Sequence, residues 1–116
     1  MNEEFWTMLE DLVEQSEVVI DRPKGSAHPQ FPHTIYPVDY GYLQHTASMD
    51  GEGIDVWVGT VPEQTVDAIV CVVDAWKRDS EMKILIGCTQ QEQDLIYGFH
   101  NRSQYMKGIL IPRERI

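Results

Sequence analysis

The stretch YPVDYGYLQHTASMDGEGIDVWV, residues 36–58, decides how this chain is read. Asp50, Glu52 and Asp55 crowd into a turn between two apolar runs, with Gly51 and Gly53 interleaved. Acids packed this closely repel one another. A bound divalent cation offsets that repulsion, and hard cations such as Mg²⁺ or Ca²⁺ prefer oxygen ligands. The glycines let the backbone bend so that the carboxylates converge. Immediately after the turn, Ile54, Val56 and Val58 alternate with Asp55 and Trp57. That pattern predicts a strand with Asp55 on the face opposite the aliphatic side chains, where a site has room.

The segments on either side read as short elements around a single core. Residues 3–15 place Phe5, Trp6, Leu9, Leu12 and Val13 on one helical stripe, with Asn2 as N-cap and Glu3 and Glu4 at the positive end of the dipole. Every charge from Glu3 to Glu17 is negative, which reads as a solvated outer face. Val18–Asp21 reads as a strand, and the four prolines of residues 22–37 make the next segment a loop-like excursion. Tyr40–Leu43, Ala68–Val73 and Met82–Cys88 read as further strands. The insert between the last two is too short for a crossover, so they form an antiparallel hairpin. Thr89 and Glu92 make a capping box for a helix from Gln90 to about His100, and Gly108–Ile111 supplies a last short strand. The expectation is an α+β, mainly β fold: one domain over residues 1–116, a small closed or partly open β-barrel with N- and C-terminal helices outside it.

Composition narrows the partners. At 116 residues with a formal charge of −10, the chain is large enough for one core and repels nucleic acid and anionic membranes. No run is long enough to span a membrane, and the N-terminus lacks the basic start of a secretory signal. Cys71 and Cys88 sit in apolar runs without metal-binding spacing, which suits free thiols in the cytoplasm.

The two blocks YPVDYGY and DGEGIDVWV resemble the signature of the soluble inorganic pyrophosphatases, an OB-like barrel family. The resemblance implies that Asp50, Glu52 and Asp55 bind metal and that Tyr40 contacts phosphate. It also implies that Asp55 helps to activate water. A second acidic motif of the family, two acids and a lysine on a hairpin, is matched by Asp74, Glu81 and Lys83, with Asp79 as the rival for the second acid. Asp21 stands where the family ends its first strand with a glutamate, and joins the metal set. The implied activity is Mg²⁺-dependent hydrolysis of inorganic pyrophosphate, with Asp55, Tyr40 and Lys83 at the chemistry. The family resemblance also implies a homo-oligomer.

The chain departs from the family too. The family's phosphate-binding lysine and following glutamate fall on Gln30 and Pro32, and a hairpin carrying an arginine is missing before Tyr36. Lys24 and Arg22 are candidates to restore positive charge, although a loop lysine is as readily a surface group. Tyr105 and Lys107 match a C-terminal tyrosine–lysine pair only loosely, and helix-end packing and surface charge explain them slightly better. His28 and His33 flank the PQFP loop; one of them could meet a phosphate in place of the lost lysine, but a loop histidine without a role is the better reading. Two alternatives follow from these losses: a catalytically reduced phosphate- or metal-binding module, or a hydrolase of another phosphoanhydride such as a nucleotide.

Overall fold

The computed structural model describes residues 2–49 and 51–114. Helix α1 (Glu3–Glu14) is followed by β1 (Val18–Arg22), β2 (Asp39–Leu43), β3 (Ile54–Val58), β4 (Val66–Asp74) and β5 (Asp79–Ile86), then α2 (Gln90–Phe99) and β6 (Met106–Pro112). Asn2 caps α1 by accepting from the Phe5 N–H at 3.2 Å. The expected capping box opens α2, with Thr89 Oγ1 accepting from Glu92 N–H and Glu92 Oε1 from Thr89 N–H.

The six strands form one sheet in the order β1-β2-β3-β5-β4-β6. Its neighbours are antiparallel except for β3 and β5, which run parallel. The sheet keeps β1 and β6 as edges, so the open alternative is realised, not a closed barrel. β4 and β5 make the expected hairpin, joined by the four residues Ala75–Arg78, with Asp74 opposite Asp79. Gly41 explains the glycine of the YPVDYGY block. A Cβ there would lie 1.8 Å from the Val19 carbonyl oxygen, so any side chain would force β1 off β2.

Side-chain alternation gives the sheet two different faces. Leu43, Val56, Ile69, Ile84 and Ile86 pack on one face under Trp6, Leu9 and Val13 of α1. The other face carries Trp57, Val70, Val72 and Leu85, covered by Ile96 of α2 and by Tyr36 and Val38. Residues 23–38 therefore do more than connect. They fold back on themselves through the Ala27–Ile35 bridge and deliver Tyr36 to the second face. The uniformly acidic α1 is not wholly solvated. Glu10 turns inward, accepting from Val66 N–H at 3.0 Å and from Arg113 at 2.7 Å.

Candidate active site

The second face becomes polar towards one end, and the register accounts for it. Tyr40 pairs with Trp57, Val72 with Glu81 and Val70 with Lys83, so all of these share a face. Asp55, two residues before Trp57, lies on it as expected. Asp79, Glu81 and Lys83 follow one another at a spacing of two along β5. The chain thus brings acids from β3, β4 and β5 to the same end of one sheet face.

At the centre lies Lys83, whose ammonium donates to Asp55 Oδ2 at 2.7 Å, to the Tyr40 hydroxyl at 3.0 Å and to Glu81 Oε2 at 3.5 Å. Tyr40 in turn donates to Asp55 Oδ2 at 2.7 Å. The side chains are only 24% (Asp55), 14% (Glu81) and 10% (Lys83) exposed, so the charges meet largely out of water. Burial, then the Asp55 charge and hydrogen bond, push the Tyr40 phenol far above its ordinary pKa. Tyr40 therefore stays a neutral proton donor. Asp55 Oδ2 takes both bonds, and Oδ1 receives none from the described residues.

Beside this network a cleft is lined by Val72, Asp74, Lys77, Asp79, Glu81, Lys83 and Met106. Asp74 Oδ1 accepts from the N–H groups of Trp76 and Lys77 at 2.9 and 3.0 Å, which fixes the hairpin turn. Asp74 and Asp79 stand directly opposite each other, an unfavourable pairing of like charges. Both rivals for the second acid, Asp79 and Glu81, reach the cleft, and Glu81 alone of the two bonds Lys83.

The remaining expected residues are dispersed. Asp50 lies outside the described residues. Glu52 is exposed in the turn that Gly51, with φ of +84°, makes possible. Asp21 is exposed at a bulge where the β1–β2 register slips. Lys24 is exposed beyond β1, and its N–H donates to Asp39. Tyr105 packs on Trp76 at the hairpin tip, with ring centroids 5.4 Å apart. Lys107 alternates with Met106 and so faces away from the cleft, donating to the Asn101 carbonyl at 3.1 Å.

Among the described residues no three His, Cys, Asp or Glu side chains converge tightly enough to enclose a metal ion. The donor set nevertheless suits Mg²⁺, which keeps several waters and takes one or two carboxylates together with substrate oxygens. Asp74, Asp79 and Glu81 are hard oxygen donors around one cleft, Asp55 adjoins it through Lys83, and the opposed Asp74–Asp79 pair gains from a cation.

Two features escaped the sequence reading, the roles of Tyr36 and His100. Tyr36 packs at a tilt against Tyr40, Trp57 and Phe99 and accepts a hydrogen bond from Arg22. His100 is buried and accepts from Trp57 Nε1 at 3.1 Å, so its neutral ring carries the proton on Nδ1, which has no partner among the described residues. Trp57 is the buried centre of this aromatic layer, whereas Trp76 is exposed. A signal for the layer was present in the aromatic density of residues 36–57, but not for its partners.

The inorganic pyrophosphatase family profile matches residues 12–77, more than half of the chain. The chain belongs to that family. An inorganic pyrophosphatase of Corynebacterium glutamicum is 27% identical over 113 residues, spanning 78% of this chain and 71% of its own. A crystal structure of an inorganic pyrophosphatase from Neisseria gonorrhoeae matches with a TM-score of 0.62 at 20% identity, over 78% of this chain and 77% of that one. One from Coxiella burnetii gives 0.61 at 17% identity, over 84% of each. At such identities these two structures speak to the fold, which is α+β, mainly β, and OB-like. The pyrophosphatase profile ends at Lys77, so Glu81 and Lys83, which meet Asp55 and Tyr40, lie beyond it.

Proposed function

We propose that this chain hydrolyses inorganic pyrophosphate to two phosphates with Mg²⁺ as its cation. The observation that carries the reading is the Lys83-centred network. It joins Asp55 and Tyr40, from the two signature blocks, to Glu81 of the β4–β5 hairpin, all beside an acid-lined cleft. Membership of the pyrophosphatase family and the relative of that name support it. Asp74, Asp79, Glu81 and Asp55 would hold the cation, with Asp50, Glu52 and Asp21 as further ligands on the family resemblance. Bound there, Mg²⁺ neutralises phosphate charge and lowers the pKa of a coordinated water.

The chain's own groups then have distinct tasks. Lys83 pairs with Asp55 Oδ2 at 2.7 Å and offers its charge to a phosphate oxygen. Tyr40, kept neutral, has a phenolic proton to redirect to phosphate once an anion competes with Asp55 for it. Asp55 Oδ1, not engaged by Tyr40 or Lys83, is the acceptor for the proton of the attacking water. Lys24, Tyr105 and Lys107 remain phosphate-binding candidates only if the tip and loop rearrange around substrate. The free thiols of Cys71 and Cys88 suit a cytoplasmic setting. Exposed Val73, Ile109 and Ile111 on neighbouring strands suit association with further copies.

A second reading is favoured by one observation. Lys83 already neutralises Asp55 and Glu81, and exposed Gln30 and Pro32 replace the family's lysine and glutamate. In that reading the chain is a phosphate- or metal-binding module without turnover. Phosphate release from pyrophosphate, with Mg²⁺ and Mn²⁺ and a panel of nucleoside di- and triphosphates, separates the cases. The enzyme reading expects Mg²⁺-dependent release that falls by about 10²–10⁴-fold in Asp55→Asn. Unchanged turnover in that variant removes Asp55 from its role. Anion or cation binding by calorimetry without release from any substrate supports the module.

A further inference from the structure

In a chain with nine lysines and arginines and a charge of −10, two of those cations and a histidine gather around one pair of tyrosines, and a third cation lines the adjoining cleft. Arg22 of β1 donates to the Tyr36 hydroxyl, and its guanidinium lies 5.5 Å from the centre of that ring. His28 stacks nearly parallel to the same ring, at 6.3 Å and 11°. Tyr36 meets Tyr40 at 5.2 Å, and Lys83 sits 5.6 Å from the centre of the Tyr40 ring. Lys77, on the β4–β5 turn, lines the cleft together with Lys83.

Unlike Lys83, which is paired with Asp55 and Glu81, Arg22 and Lys77 are poorly neutralised. Tyr36 engages one of the five guanidinium N–H donors of Arg22. The Lys77 side chain makes no ion pair or hydrogen bond with the described residues. His28 Nδ1 accepts from the Gln30 N–H at 3.1 Å, which leaves the proton of the neutral ring on Nε2, also without an acceptor among the described residues. Burial, and then the charges of Arg22 and Lys77, hold the His28 pKa below its ordinary value, so both cations are felt at that ring. The other groups packed on His28 are the uncharged rings of Phe31 and Tyr36. Asp21, beside Arg22 in sequence, is exposed.

We propose that Arg22, His28 and Lys77 form an anion subsite for one phosphoryl end of a diphosphate, while Lys83 faces the other end. The trio comes from β1, the 23–38 loop and the β4–β5 turn, and none of it occupies a motif position of the family. Its chemistry is that of the charges lost at Gln30 and with the missing arginine: a planar fork, a neutral N–H donor and a point charge. The inference rests on the reading that the cleft takes a diphosphate, but not on turnover.

The test follows the His28 imidazole by NMR while inorganic phosphate, and then non-hydrolysable imidodiphosphate, is added with Mg²⁺. The expected result is a saturable shift of the His28 resonances and a rise of its pKa in the bound state. Lys77→Met and Arg22→Gln should each weaken imidodiphosphate binding at least tenfold. Where the parent turns over, they should raise KM for pyrophosphate by as much, with kcat changed less. Lys77 is exposed, so its variant reports even if Arg22→Gln perturbs the Tyr36 layer. A His28 signal unmoved by either anion, or parental affinity in Lys77→Met, overturns the subsite. A responsive His28 in a protein that releases no phosphate keeps the subsite and removes the hydrolase reading. Turnover with parental KM in both variants does the reverse.

Discussion

The two faces of the sheet solve opposite problems with adjacent residues. Ile84 points under α1 into a layer of aliphatic side chains, whereas its neighbour Lys83 points to the other side and holds a tyrosine and two carboxylates. The first face is dry and gains stability from burial alone. The second must satisfy charges that burial penalises, and it does so with aromatic walls and short hydrogen bonds. Stability and chemistry are thus divided across a single strand, one residue apart.

Swapping along β5 tests that division most sharply. Ile84→Ala should cost about 2–5 kcal/mol of stability, because a fully buried side chain leaves a cavity under α1. Its turnover per folded molecule should match the parent. Lys83→Met, of similar length and without charge, should remove most pyrophosphate turnover while losing less stability, about 1–3 kcal/mol from the uncompensated carboxylates. Denaturant unfolding and phosphate release on the same samples decide this. Equal losses of activity in both variants would show that the faces are not independent.

His100 offers the next contrast, since it is a titratable group inside the aromatic side of the second face. Burial, then the nearby charges of Lys83 and Arg102, lower its pKa to about 3. The unfolded chain therefore binds a proton near pH 6.5 that the folded one refuses. Stability from this residue is complete above pH 6.5 and is lost as pH falls towards 3, amounting to about 2 kcal/mol by pH 5. Above pH 5 most carboxylates remain ionised, so the slope there belongs largely to histidines. In His100→Phe the pH dependence between 6.5 and 5 should flatten by about one proton, whatever the variant's absolute stability. An unaltered slope would mean that His100 is protonated in the fold.

The same division explains what the sequence disclosed. Elements written in local periodicity were legible: the α1 stripe, the Thr89 capping box, the alternation of residues 54–58 and the β4–β5 hairpin. So was the face that carries Asp55, because a strand's period of two assigns it without knowledge of the partner strands. The parallel β3–β5 contact was not legible, because it joins segments that no local pattern links. Nor was the inward turn of Glu10, whose partners Val66 and Arg113 lie 56 and 103 residues away. At the site, the residue types were readable from the two motifs. Their mutual engagement through Lys83 was not, since it depends on register. Residues 23–38 follow the irregular path their prolines mark, but that this path delivers Tyr36 as a wall was not legible, since its ring partners lie on other elements.

The smallest expected effect concerns how the second face is closed. Whereas α1 covers its face with three buried side chains, α2 contributes Ile96 alone as a fully buried residue. Its first turn compensates with polar bonds. Glu92 Oε1 accepts from Thr89 N–H at 2.8 Å and from Thr60 N–H at 3.1 Å, which ties the helix to the segment after β3. Burial opposes the Glu92 charge, but these N–H donors outweigh it and hold the carboxyl below its ordinary pKa. Thr89→Ala removes only the Oγ1 acceptor for Glu92 N–H and should cost about 1 kcal/mol. The loss should be local, with faster amide hydrogen exchange in the first turn of α2 and unchanged exchange in α1. If α1 amides accelerate equally, the helices do not close their faces separately, and the sheet acts as one cooperative layer.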